Sequence, residues 1–253
     1  MDRIEPFEPI DSSELSDHSD HRDRAPDEVM PAILAVMGHI TPSTRDSSRA
    51  MLASVSDDAV LRPERADELV AIVRASDWFL RLLDAASVVG APDWWIGAGV
   101  IRDLVWDQRF GAGFDPANVR DVDLAFFDRA SANAEHDREI EVALCARDPS
   151  VRWDAKNQAA VHLWYPRRFG IAVDPLESTL DGVATWPEYA TCVAVTRSDD
   201  DDIRVGAPYG LDDLLDGVWR RNPRRVTPEE YRRRLSRKDP ARRWPGVLVL
   251  PED

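Results

Sequence analysis

Residues 93–128 read DWWIGAGVIRDLVWDQRFGAGFDPANVRDVDLAFFD, and this stretch decides the fold. DWWIGAG reads as a strand that runs into a glycine-bounded turn at Gly97-Ala98-Gly99. VIRDLVWDQRF (100–110) reads as a helix, GAGFDPANVR (111–120) as a loop, and DVDLAFFD (121–128) as a second strand. Upstream, RPERADELVAIVR (62–74) has helical spacing, with Leu69, Val70, Ile72 and Val73 on a broad apolar face and Pro63 suited to a first turn. SDWFLRLLDAASVV (76–89) is a second helix, with Ser76 or Asp77 as its N-cap and Gly90-Ala91-Pro92 ending it. Downstream come a helix over 132–146, a strand at VRWDAKN (151–157), strands at TCVAVTR (191–197) and IRVGAP (203–208), and a helix over LDDLLDGVW (211–219). Strands and helices alternate, so the expected fold is α/β (α+β), a mixed sheet flanked by helices.

The chain has 253 residues, which at roughly 150 per domain predicts one large domain with a tail. Residues 1–28 carry ten acids against Arg3, Arg22 and Arg24, with few apolar side chains, and are expected to be a disordered tail. His18 and His21 sit among those acids and read as part of a solvated stretch rather than a metal site. From Val29 onward a single domain is expected. It begins with a short buried helix at VMPAILAVMGHI (29–40), holds its motifs over about 90–215 and ends in a basic helical segment over 216–245.

Net charge is −15, which argues against a DNA-coating protein or a basic membrane binder. No apolar run reaches 18 residues, and the N-terminus lacks the apolar core of a signal peptide, so a cytoplasmic protein is expected. The two cysteines, Cys145 and Cys192, make neither a disulfide framework nor a thiolate metal site, and Cys145 reads as core. Residues 220–243 reverse the charge: ten arginines and Lys238 against Glu229, Glu230 and Asp239. Two readings stay open, a helix pairing with the acidic body or a clamp for phosphate or nucleic acid.

Three features bear chemistry. Asp121 and Asp123 are two apart on a strand, so their carboxylates share a face while Val122 and Leu124 point into the core. Such a pair repels, and a divalent cation relieves the repulsion; oxygen ligands at this spacing suit Mg2+ or Mn2+. Asp-x-Asp alone is a weak signal, and two exposed strand-end acids would read the same. Gly97-Ala98-Gly99 lets backbone N–H groups at a helix start approach a phosphate, with Arg102 one turn on for a charged contact. The turn is neither a dinucleotide fingerprint nor a P-loop. Asp154 supplies a third acid, to bind a cation or accept a proton in phosphoryl or nucleotidyl transfer. Asn157, Gln158 and His162 either contact base or ribose or cap the strand end and the next helix. Trp94, Trp95, Trp106 and Trp164 read as packing residues.

Taken together, GAGVIRDLVWD (97–107), DVDLAFFD (121–128), WDAKNQAAVHLWY (153–165), WPEYATCVAV (186–195), APYGLDDLL (207–215) and RRWP (242–245) resemble a bacterial nucleotidyltransferase family, NTP-transferase type 6, formerly a domain of unknown function. That family lies within the DNA polymerase β-like superfamily. The resemblance covers about 90–245. It implies a nucleotidyltransferase core with a mixed sheet, magnesium, an NTP donor (ATP foremost) and an acceptor that is a small molecule, a protein or RNA; neither DNA nor a membrane is expected as partner. By the resemblance Gly97 and Gly99 match the phosphate-binding turn, Asp121 and Asp123 the metal pair, and Asp154 the third acid, with Asp174 the next candidate. Two departures stand out. Ala98-Gly99 replaces the Gly-Ser of many superfamily members, leaving only backbone contacts, and the gap from Gly99 to Asp121 is long, so the loop 111–120 is placed to shape an acceptor site. Two other readings compete: a non-catalytic nucleotide- or partner-binding module on this fold, and a metal-dependent phosphohydrolase. Hydrolases of that kind show His-Asp clusters, and none of the five histidines supplies one here.

Overall fold

The computed structural model describes residues 64–251. The expected acidic tail, the helix at 29–40 and the role given to Pro63 lie outside the described residues.

Two helices open the described chain: α1 (Ala66–Arg74) and α2 (Asp77–Val89). Leu69 and Val73 bury one face of α1. Ser76 caps α2, its hydroxyl accepting from the Phe79 N–H at 3.2 Å, and Gly90 ends it in the left-handed region at φ 69°. Phe79, Leu82 and Leu83 place α2 against the main core.

β1 (Trp95–Gly97) enters α3 (Gly99–Arg109), the strand–turn–helix read from the sequence. β2 (Val122–Phe126), α4 (Ala134–Arg147) and β3 (Trp153–Asn157) follow, then α5 (Val161–Phe169) and a short α6 (Thr179–Val183). β4 (Ala194–Arg197) and β5 (Ile203–Gly206) complete a five-stranded sheet of order β3-β2-β1-β4-β5. Only β2 and β3 run parallel; the other neighbours are antiparallel. The connection that makes a parallel pair needs a crossover, and α4 supplies it.

Two expectations change downstream. The helix read over 211–219 is only α7 (Asp212–Leu215). Gly217 then takes φ 72°, with the Phe110 ring where a Cβ would stand, and the chain leaves helix for β6 (Val218–Trp219). The basic segment is accordingly helical only from α8 (Pro228–Lys238) and α9 (Pro240–Arg243), before β7 (Leu248–Val249) pairs with β6. Cys145 is exposed rather than core, because Ile140 and Leu144 take the buried face of α4; Cys192 is the buried thiol, and burial pushes its pKa up.

The core lies between the sheet and helices α1–α4, α7 and α8. Trp106 is its largest member. Its ring meets Trp244 edge-on at 5.1 Å, and its indole N–H donates to the Leu214 carbonyl at 2.6 Å. Trp95, Leu180, Val183, Cys192 and Ala194 form a smaller cluster on the opposite face of the sheet. Among the described residues no helix is long and apolar enough to cross a membrane.

Candidate active site

Register places the acids. Gly97 pairs with Asp123 across β1–β2, and Asp123 pairs with Asp154 across β2–β3. Directly opposed residues project to the same face, so Gly97, Asp123 and Asp154 form a row across the middle of the sheet. Val122 and Leu124 point into the core beneath, at 0% and 1% exposure. This is the alternation read from DVDL. Asp121 precedes β2 by one residue.

The electrostatics of this row are unfavourable as it stands. Burial pushes the Asp123 carboxyl well above the usual carboxylate range, and the charges of Asp154 and Asp121 push it further. Lys238 and Lys156 pull it back. Lys156 Nζ lies 2.8 Å from Asp154 Oδ1 and 3.1 Å from Glu141 Oε1. Asp154 and Lys156 are two apart on β3, so they share a face as the two aspartates of β2 do. Burial alone would lower the Lys156 pKa, yet Asp154 and Glu141 carry it above its ordinary value.

The turn beside the row is strained. Ala98 sits at φ 58°, ψ −128°, outside the regions open to most non-glycine residues. Its N–H donates to the Val193 carbonyl at 3.2 Å, and its own carbonyl accepts the Arg102 N–H at 3.3 Å. Strain of this kind persists where the surroundings over-determine the backbone, and it concentrates at ligand clamps. Gly97 is glycine for packing, because a Cβ would stand 2.6 Å from both the Trp186 ring and the Val193 carbonyl. At Gly99 a Cβ would make ordinary contact with the Arg102 guanidinium at 3.7 Å, and Val100, Ile101 and Arg102 bury the rest of the first turn of α3.

Two of the residues expected to bind phosphate or nucleotide serve the fold instead. Arg102 is 4% exposed; its Nε and Nη2 both donate to Asp103 Oδ1, at 3.0 and 2.7 Å. Its guanidinium lies 5.1 Å from the ring centres of Trp219 and of Trp244. An arginine held in that sandwich is committed to Asp103 and to the two rings, and braces the start of α3. Asn157 is 1% exposed, and its amide is spent on the backbone: Oδ1 accepts from Asp128 N and Ala159 N, and Nδ2 donates to Asp128 O and Ser131 O. That is the capping alternative. Gln158 donates to the Lys156 carbonyl and packs against Gly182. Asp174 is exposed on coil and ends no strand.

The basic segment resolves into pairs with the body and an open face. Arg234 of α8 donates to Glu188, Nε to Oε1 at 2.7 Å and Nη2 to Oε2 at 3.2 Å. Glu188 is 1% exposed; burial alone would raise its pKa, but Arg234 holds it below the carboxylate range. Arg243 of α9 pairs with Asp103 and Asp107 at 3.0 Å each. α9 is thus strapped onto the helix that leaves the glycine turn, and α8 onto the segment before β4 that carries Glu188. Lys156 and Lys238 had no role in the sequence reading. The Asp-x-Lys spacing on β3 carries the signal for Lys156; a basic run gives none for Lys238.

A family of nucleotidyltransferases, NTP-transferase type 6, matches residues 84–249. The chain belongs to this family. Among solved structures, a CCA-adding enzyme head domain determined by NMR is 26% identical to this nucleotidyltransferase, with a TM-score of 0.61 over 73% of this chain and 95% of that one. A Thermotoga maritima CCA-adding enzyme in complex with tRNA is 13% identical, over 76% of this chain and 43% of that one, at a TM-score of 0.47 too low to bear on the site. No functionally curated protein matches the chain. The head-domain likeness agrees with the five-stranded mixed sheet, and the family match spans every residue of the acid row.

Proposed function

We propose that this nucleotidyltransferase moves a nucleoside monophosphate from an NTP, ATP foremost, to an acceptor hydroxyl, with Asp121, Asp123 and Asp154 as its catalytic acids. The observation that carries the reading is the register of Gly97, Asp123 and Asp154 across three adjacent strands, beside the glycine turn that starts α3. The α-phosphorus gains a bond to the acceptor oxygen and loses its bond to pyrophosphate, and the acceptor's proton passes to Asp154. Backbone N–H groups at Gly99 and the following residues of α3 would face the triphosphate.

The donor set fits a hard divalent cation. Asp121 and Asp123 offer carboxylate oxygens two residues apart, and the raised Asp123 pKa, caused first by burial and then by the charges of Asp154 and Asp121, would fall with a cation bound. Mg2+ or Mn2+ held by Asp121, Asp123 and Asp154 would neutralise charge on the phosphates. Among the described residues no three His, Cys, Asp or Glu side chains are gathered as a ready-made metal site. The set is therefore read as one that closes with substrate phosphates as additional ligands. Lys156, already on Asp154, also supports the runner-up, a module on this fold that binds nucleotide without transferring it.

The test is magnesium-dependent pyrophosphate release from each NTP, with Asp121→Asn and Asp123→Asn as controls. Transfer predicts release in wild type and none in either variant. NTP binding without pyrophosphate release, across a range of acceptors, leaves the binding module. Full activity in Asp121→Asn refutes the site assignment.

A further inference from the structure

A cavity of about 400 Å³ lies between α5 and the start of α8, walled by Tyr165, Ile171, Arg224, Arg225 and Thr227. Its lining holds arginines and no acid, in a chain of net charge −15. The Arg225 guanidinium stacks over the Tyr165 ring at 4.9 Å, and among the described residues no carboxylate pairs with it. Burial lowers its pKa. Arg224 projects beside it, tied to Asp181 at 2.6 Å. Tyr165 continues into Phe169 at 4.5 Å and Trp164 at 5.8 Å, so three aromatic rings and Arg167 and Arg168 share α5. Leu163 and Ile171 are half exposed.

The cavity is fastened to the acid-bearing side of the sheet. Trp186 lies against Gly97, the sheet neighbour of Asp123. Asn222 donates to the Trp186 carbonyl at 2.8 Å, and the Arg224 N–H donates to Asn222 Oδ1 at 3.1 Å. One chain of contacts therefore joins the glycine turn to the arginines of the cavity wall.

We propose that this cavity and the α5 face beside it bind the unpaired end of a single-stranded nucleic acid, which is the acceptor. A phosphodiester needs a cation not paired with a carboxylate, which Arg225 offers. An unstacked base needs a flat ring, which Phe169 offers beside the Tyr165 ring that Arg225 covers, and a volume near 400 Å³ suits about one nucleotide. A metabolite anion would be served by Arg225 alone and leaves the aromatic row along α5 unexplained. This assignment rests on the transfer reading for the word acceptor, but not for the binding itself.

The experiment is fluorescence anisotropy of the full chain with a labelled 12-nucleotide RNA, the same sequence as DNA, and a blunt duplex. The expected result is binding of the single strands over the duplex, weakened on the order of 10-fold by Arg225→Glu and by Tyr165→Leu. Raising the salt should weaken it with a log–log slope of about −2, as for roughly three phosphates. RNA bound over DNA identifies the ribose as part of the recognised end; equal binding identifies base and phosphate alone; either supports the proposal. No binding of any strand, equal binding of the duplex, or strand binding unchanged in both variants overturns it. Melting temperatures show that each variant is folded. Pyrophosphate release is scored separately, so a chain that binds strands but releases none refutes transfer and leaves this site standing.

Discussion

Asp123 sets the chemistry of the site at the scale of single residues. Its carboxyl is raised by burial and by two neighbouring acids, so the folded state holds its proton to higher pH than the unfolded chain. The contribution of Asp123 to stability without metal is then greatest below the ordinary carboxylate range and is lost as pH rises through the raised value. Asp123→Asn removes this dependence. The variant should melt higher than wild type at neutral pH in chelator, while its metal-dependent turnover is lost; a variant that melts lower shows that the charge stabilises the fold. Asp154 serves the acceptor side. Asp154→Asn should keep NTP binding in calorimetry yet lose transfer on the order of 10²-fold or more, as for a positioned base, and normal turnover would move that role elsewhere. These acids were legible because period-two alternation fixes their face from sequence alone. Arg102 and Asn157 were not, since the groups that consume them, Trp219 with Trp244 and the Asp128–Ser131 backbone, come from other elements.

The element that repays attention is α8. The charge of Lys238 at its end pulls the Asp123 pKa down, and its middle is pinned by Arg234 to buried Glu188. Removing one partner of a buried pair costs about 3 to 5 kcal/mol, because the other charge is left alone. Arg234→Met should lower stability by about that amount in chemical denaturation, and more than Glu188→Gln, which leaves the arginine near solvent. A loss under about 1 kcal/mol would show that α8 is held by Tyr231 and its hydrogen bonds to the Trp219 and Leu250 carbonyls. The pH sign is opposite to that of Asp123. Glu188 is lowered in the folded state, so its contribution is present above the ordinary carboxylate range and vanishes as pH falls through the depressed value. The elements read through β5 have the right type, where apolar patterning is strong, but α5 and α6 were not read as elements. The failure at 211–219 has a local cause: Gly217 adopts a left-handed conformation against Phe110, a residue of the α3 terminus that no local pattern announces.

Charge organises the whole molecule. The chain is −15 overall, with ten arginines and Lys238 concentrated in residues 220–243 and ten acids in residues 2–28. Arg234 and Arg243 are answered by Glu188, Asp103 and Asp107 of the folded body, so those pairs do not depend on the N-terminal acids. The sequence of residues 1–28 has too few apolar side chains to add to a core. Deleting residues 2–28 should therefore leave the melting temperature and NTP turnover unchanged, while net charge moves from −15 to −8. A less negative chain repels polyanions less, and that repulsion is screened by salt. The truncated protein should bind a labelled single strand more tightly than the full chain at low salt, with the difference closing as ionic strength rises. A fall of several degrees in melting temperature would instead mean that the acidic segment is part of the folded body. Unchanged strand affinity at every salt concentration would mean that its charge does not reach the binding face.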